Sequence, residues 1–250
     1  MDSERKRHAE AVGRHFRRAL LASMAFVALI GAIFFATPAL GGLRAFALVP
    51  LEASGLVGIL TAPLLHGSAG HWLANASALL VLGTLVGTVY PRAALRALPV
   101  LWLLSGLVTW LIGRPSFHIG ASGLTHGLMF LVFVLGVVRR DRPSIAAAMI
   151  AFLLYGGMLL TVLPREAGVS WQSHLGGAVA GVVAALLWRH RDPLPPRKRY
   201  SWEEEEEAQA AGHDTLEPPS PTDVPVLWNR PEPRDEHGVV LEFPPRGRAR

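Results

Sequence analysis

SFHIGASGLTHGLMFLVFVLGVVRR, residues 116–140, poses the problem of the whole chain. It holds an apolar run long enough to cross a bilayer, and at the head of that run one serine, Ser122, lies between Gly120 and Gly123. About 18–20 residues rising ~1.5 Å each cover the ~30 Å of hydrocarbon in a membrane. The run shows no alternation of period two, so it reads as a spanning helix and not as a barrel strand. It ends on Arg139 and Arg140, charges that belong in water. The two glycines are read as serving helix packing, chemistry, or both.

Five further stretches have the same character, at 19–36, 71–89, 94–113, 144–163 and 170–188, with the quoted one at 121–138. The chain of 250 residues is 51% hydrophobic and only 17% charged, against about a quarter charged in soluble domains. The predicted fold is therefore an all-α bundle of six transmembrane helices. The net charge of +5 could suggest a nucleic-acid partner, but the arginines flank the apolar runs and form no helical stripe. Arg5, Lys6, Arg7, Arg14, Arg17 and Arg18 precede the first run. Arg92 and Arg96 follow the second, Arg139, Arg140 and Arg142 the fourth, and Arg189 and Arg191 the sixth. The alternate connections hold only Arg44, Arg114 and Arg165. By the positive-inside rule this predicts a multi-pass integral membrane protein with both termini cytoplasmic, in a bacterial inner membrane. A lipid bilayer, and no nucleic acid, is the expected surrounding.

A cleaved signal peptide at the first run is not favoured, because its apolar part and basic lead are both too long. The connection between the first two runs, predicted to lie outside, mixes Gly, Pro and apolar residues without strong charge, as an interfacial segment does. Residues 1–18 read as a basic cytoplasmic segment and 19–190 as the core. The Pro- and Glu-rich residues 191–250 read as a disordered tail. Cysteine is absent, which excludes disulfides and thiol catalysis.

Polar groups inside membrane helices are costly and so mark candidate sites. His71 and Asn75 lie at the start of the second run, Ser122 and His126 at the start of the fourth, and His174 at the start of the sixth. All three runs cross in the same direction, so these residues share one depth, in the outer leaflet. Gly123 and Gly127 line one side of the fourth helix, and His174, Gly177 and Gly181 line one side of the sixth. Small residues let backbones approach closely, and packing the two faces together would bring Ser122 towards His174.

Each residue has a plain structural alternative. Ser122 could bond back to its own helix, His174 could make an interhelical bond, and His71 with Asn75 could clamp the loop. Together they also suit catalysis. A serine hydroxyl needs a base to take its proton, and His174 can take it near neutral pH and return it to a leaving amine. His71, Asn75 and the unpaired backbone N–H at Ser122 could stabilise an oxyanion. No Asp or Glu lies within an apolar run, so the arrangement would be a dyad. No His-Glu-x-x-His pattern is present, and no metal or cofactor is called for.

The pieces HGSAGHWLAN (His66, His71, Asn75), GASG (Gly120, Ser122, Gly123) and SHLGGAVAG (His174, Gly177, Gly181) together resemble the rhomboid family of intramembrane serine proteases. They stand in family order on the second, fourth and sixth helices, behind a long external loop. The resemblance implies Ser122 as nucleophile, His174 as general base, and His71 and Asn75 as oxyanion donors. It implies hydrolysis of peptide bonds in or near the transmembrane segments of other membrane proteins. The alternative is an inactive relative that binds such clients without cutting them. His126 departs from the family, many members of which carry an aromatic there that packs on the histidine. Of the loop histidines, His66 is given a structural role and His118 none.

Overall fold

The computed structural model describes residues 2–37, 43–165, 168–194 and 200–214. Eight helices form among them: α1 Asp2–Ala36, α2 Gly58–Thr61, α3 Ala69–Val89, α4 Pro91–Ile112, α5 Ser122–Arg139, α6 Arg142–Tyr155, α7 Trp171–Trp188 and α8 Ser201–Asp214. Short 3₁₀ turns at Arg44–Phe46, Ala53–Val57 and Ala62–Leu64 carry the chain from α1 towards α3, and another at Gly156–Leu159 extends α6. Five helical stretches are long and apolar enough to cross a membrane: Lys6–Ala36, Ala69–Val89, Pro91–Ile112, Ser122–Arg139 and Arg142–Leu159. The sixth expected span, α7, forms as an 18-residue helix but is not among them. Its first turn holds Gln172, Ser173 and His174, which dilute its hydropathy.

α5 is the hub. It packs against α7, α6, α3 and α4, and α1 lies against α3. Most of α5 is buried, including Thr125 and Met129 at 0% exposure. The peripheral helices instead present Leu95, Leu153 and Phe35 outward, as lipid-facing side chains do.

The helix ends follow from local chemistry. Ser68 accepts a hydrogen bond from the His71 N–H at 3.2 Å and starts α3, an N-cap worth about 1 kcal/mol. Asp141 does the same for α6, accepting from Ser144 N–H at 3.0 Å. α4 is capped from afar, since the Asp192 carboxylate accepts from Arg92 N–H and Ala93 N–H at 2.9 and 3.0 Å. Arg139 donates to the carbonyls of Arg189 and Asp192 at 2.8 and 2.9 Å and pairs with Asp141 at 3.0 Å. The ends of α4, α5, α6 and α7 are thereby tied together at the bundle's basic end.

At the opposite end the α1–α3 connection lies along α4. The indole N–H groups of Trp102 and Trp110 donate to the Leu60 and Glu52 carbonyls. Leu48 and His118 exchange both backbone hydrogen bonds, at 3.0 and 2.9 Å, which joins this connection to the segment preceding α5.

One sequence expectation gains detail and another needs correction. α1 begins at Asp2, so the basic residues of 1–18 continue the helix of the first apolar run. Disorder across 191–250 does not hold over Ser201–Asp214, which forms α8. Glu and Ala favour helices, and Glu203 and Glu204 in its first turn complement the helix dipole. The rest of that tail, 215–250, lies outside the described residues. α8 belongs to a unit separate from the one ending at Pro196.

Candidate active site

The site is built where α5 and α7 begin. Their glycine faces pack backbone to backbone: a β-carbon at Gly177 would collide with the Gly123 carbonyl, and one at Gly181 with the Gly127 carbonyl. A β-carbon at Gly123 would lie 2.6 Å from Ser173 Oγ. Two helices can approach this closely only where neither carries a side chain. The first turns of α5 and α7, with Ser122 and His174, are therefore neighbours.

His174 is 7% exposed, and its Nδ1 lies 3.0 Å from the Thr161 carbonyl. A carbonyl only accepts, so Nδ1 carries the proton and Nε2 keeps its lone pair. His126 stacks on the His174 ring, with centroids 3.9 Å apart and planes 12° apart. His126 Nδ1 lies 2.6 Å from the Ser122 carbonyl and so donates to it, which leaves Nε2 as an acceptor 2.8 Å from the Thr161 hydroxyl, whose one proton also has the Met158 carbonyl within 3.1 Å. Thr161 thus holds both histidines, one through its hydroxyl and one through its backbone. The Ser122 side chain is half-buried, and its hydroxyl makes no hydrogen bond among the described residues, to His174 or to any other group.

His71 lies against the turn that precedes Ser122. Its Cε1–Nε2 edge lies directly on Gly120, where no β-carbon would fit. Gly120 has φ +113°, a region L side chains rarely adopt, and its N–H donates to the Ala62 carbonyl at 2.8 Å. The glycine before Ser122 thus serves both a left-handed turn and the approach of His71. Asn75 is buried and donates from Nδ2 to the His71 carbonyl at 3.0 Å, so one of its two amide hydrogens is spent on its own helix. His66 packs edge-on against His71, with centroids 5.1 Å apart. It is 1% exposed, and neither of its ring nitrogens has a partner among the described residues. Burial first, and the nearby His71 second, push its pKa down to about 4, so it is neutral at pH 7.

The sequence reading missed two residues. Thr161 is an unremarkable threonine in a loop, and no spacing rule places it on two histidines. His118, given no role, is 5% exposed and tied down. Its Nε2–H donates to the Arg114 carbonyl at 3.0 Å and its Nδ1 accepts from the Ser170 hydroxyl at 2.6 Å, at the N-cap of α7. Burial holds its pKa below the usual histidine value. The glycine at 120 and the short polar run before α5 were the available signals for a packed, ordered segment here.

Comparison with known proteins shows the family. The Rhomboid domain matches residues 53–191, and the chain belongs to that family, whose members are in general intramembrane serine proteases and include inactive ones. An uncharacterized protein of Mycobacterium tuberculosis is 44% identical over 147 residues, which cover 55% of this chain and 61% of the relative. An uncharacterized protein of Mycobacterium leprae is 42% identical over 146 residues, 55% of this chain and 58% of the relative. A putative rhomboid protein of Acanthamoeba polyphaga mimivirus is 25% identical over 149 residues, 57% of this chain and 78% of the relative. The chain spans about three fifths of the length of the mycobacterial relatives it matches.

Proposed function

We propose that this chain is an intramembrane serine endopeptidase that cleaves transmembrane proteins through a Ser122–His174 dyad. The observation that carries the reading is the state of His174: Thr161 fixes its proton on Nδ1 and His126 fixes its ring plane. Nε2 is left as a base on the helix packed against the turn that bears Ser122. In this reading α7 is a sixth span, both termini are cytoplasmic, and the site lies in the outer leaflet of a bacterial cell membrane.

The chemistry runs in two halves. Ser122 Oγ attacks a substrate peptide carbonyl while His174 Nε2 takes the hydroxyl proton. The carbonyl oxygen becomes an oxyanion, which the Ser122 N–H and the side chains of His71 and Asn75 would stabilise. For Asn75 this requires its amide to turn from the His71 carbonyl or to use its second hydrogen. The C–N bond then breaks, and His174 returns the proton to the leaving amine. Water, deprotonated by His174, attacks the resulting ester, releasing the acid and restoring Ser122. An intact helix hides its carbonyls in its own hydrogen bonds, so substrates with helix-weakening residues near the cut are preferred.

One observation favours the rival reading of an inactive, client-binding protein: Ser122 and His174 are not hydrogen-bonded. Catalytic hydrogen bonds are often unmade until substrate arrives. The deciding experiment is cleavage of a co-expressed single-pass reporter with a Gly/Ala-rich transmembrane segment, together with fluorophosphonate labelling. If several reporters stay intact and no labelling occurs, the client-binding reading stands.

Two predictions arise from the histidine pair. His126→Tyr keeps a flat ring over His174 and should retain cleavage within about tenfold, since a ring stack contributes ~0.5–1.5 kcal/mol. Complete loss in His126→Tyr at normal expression would show that the imidazole has a role of its own. Thr161→Val removes the hydroxyl shared between His126 and the Met158 carbonyl but keeps the carbonyl held by His174. One neutral hydrogen bond of ~1 kcal/mol sets its expected loss at about fivefold, with Thr161→Ser near wild type. Equal rates for Thr161→Val and wild type would remove the hydroxyl from the account.

A further inference from the structure

A groove of about 1270 Å³ runs between α1 and α4 over the surface of α3, and none of Ser122, His174 and His71 lines it. α1 reaches α3 through two glycines: β-carbons at Gly83 and Gly87 would lie 2.6 Å from Ser23 Oγ and Ala19 Cβ. Towards the Ser122 end α1 also meets α4, where Phe26 and Trp102 touch edge to face at 5.7 Å. Below that contact the two helices leave the groove open, lined by apolar residues such as Leu95 and Leu98 of α4.

The groove's charge lies at one end. Arg18 and Arg92, with His8 and His15, line it at the basic end of the bundle. Two carboxylates line it as well, but both are engaged. Asp141 pairs with Arg139 and caps α6, and Asp192 caps α4 through backbone N–H groups. Neither the Arg18 nor the Arg92 guanidinium makes an ion pair or side-chain hydrogen bond among the described residues, and both residues are exposed.

We propose that this groove is a binding site for one anionic phospholipid, its acyl chains along α1 and α4 and its phosphate head between Arg18 and Arg92. The charge distribution selects this occupant. A spanning helix or a second copy of the chain would present apolar surface along the groove and leave two cations without a counter-charge. An amphiphile with one anionic end matches both parts. Each basic residue near an anionic headgroup strengthens binding roughly fivefold. The site is independent of the proposed dyad.

The test is native mass spectrometry of the full-length protein, delipidated in detergent and titrated with phosphatidylglycerol or with phosphatidylcholine of the same acyl chains. Wild type is expected to retain one phosphatidylglycerol at concentrations where phosphatidylcholine is lost. The Arg18→Gln/Arg92→Gln variant should weaken phosphatidylglycerol roughly thirtyfold and leave phosphatidylcholine unchanged. Arg96→Gln/Arg140→Gln removes the same charge from the same end but outside the groove, and should weaken it little. Ala22→Trp, which fills the groove, should displace the retained lipid. Equal retention of the two lipids overturns the proposal, as does equal weakening in the two double variants. A co-purified polypeptide bound in place of lipid, and displaced by Ala22→Trp, overturns it as well.

Discussion

Ser122→Ala and His174→Ala should each reduce reporter cleavage by roughly a thousandfold or more, and the double variant should be no worse than either single one. Nucleophile and base act as one unit, so removing either removes the covalent route, and their losses do not add. Ser122→Ala is a clean test because the hydroxyl makes no hydrogen bond among the described residues and its removal leaves no partner unsatisfied. Thermal stability of that variant should match wild type, and fluorophosphonate labelling should vanish. His174→Ala gives up the bond to the Thr161 carbonyl and the stack on His126, so some stability loss is expected there, of about 1–3 kcal/mol. The discriminating result is therefore Ser122→Ala. Wild-type cleavage by that variant would show that Ser122 is a packing serine and that the nucleophile lies elsewhere. Unaltered labelling would mean the same.

The parts of the site that could be read from sequence were those with a period. The i, i+3, i+7 spacing of His174, Gly177 and Gly181, and the Gly123/Gly127 pair, predicted the α5–α7 contact, and the glycines do meet backbone to backbone. Membrane helices were legible because hydrocarbon thickness dictates their length, although the polar first turn of α7 that carries His174 also lowers its hydropathy. What failed to show in the sequence was set by tertiary position. Thr161 reaches two histidines only because the chain after α6 folds over α7. Asn75, grouped with His71 by its i, i+4 spacing, spends one amide hydrogen on its own helix. Asp192 caps α4 from the far end of the core, a pairing no local pattern announces. The helix at Ser201–Asp214 was hidden by composition: a low-hydrophobicity segment was read as disordered, although its Glu and Ala residues are good helix formers.

The second large effect is expected far from any reacting atom. Gly177→Ala should destabilise the bundle by about 3 kcal/mol or more and abolish cleavage with it. Inserting one carbon into a packed interior usually costs ~1–3 kcal/mol when neighbouring side chains can give way. Here the obstruction is the Gly123 carbonyl, with the Gly127 backbone nitrogen 3.1 Å away, so whole helices must separate. Separation would move His174 away from the Ser122 turn and from the His126 ring, and a displacement of ~1 Å can cost a hundredfold in rate. Gly157→Ala is the matched control, because a β-carbon there meets nothing within 4 Å. Thermal unfolding in detergent and reporter cleavage should both fall for Gly177→Ala and stay unchanged for Gly157→Ala. A Gly177→Ala protein that unfolds at the wild-type temperature yet cuts nothing would place Gly177 at the reacting centre. One that both folds and cuts normally would mean that α5 and α7 do not depend on this backbone contact. In that case the close approach would no longer explain how Ser122 and His174 are brought together.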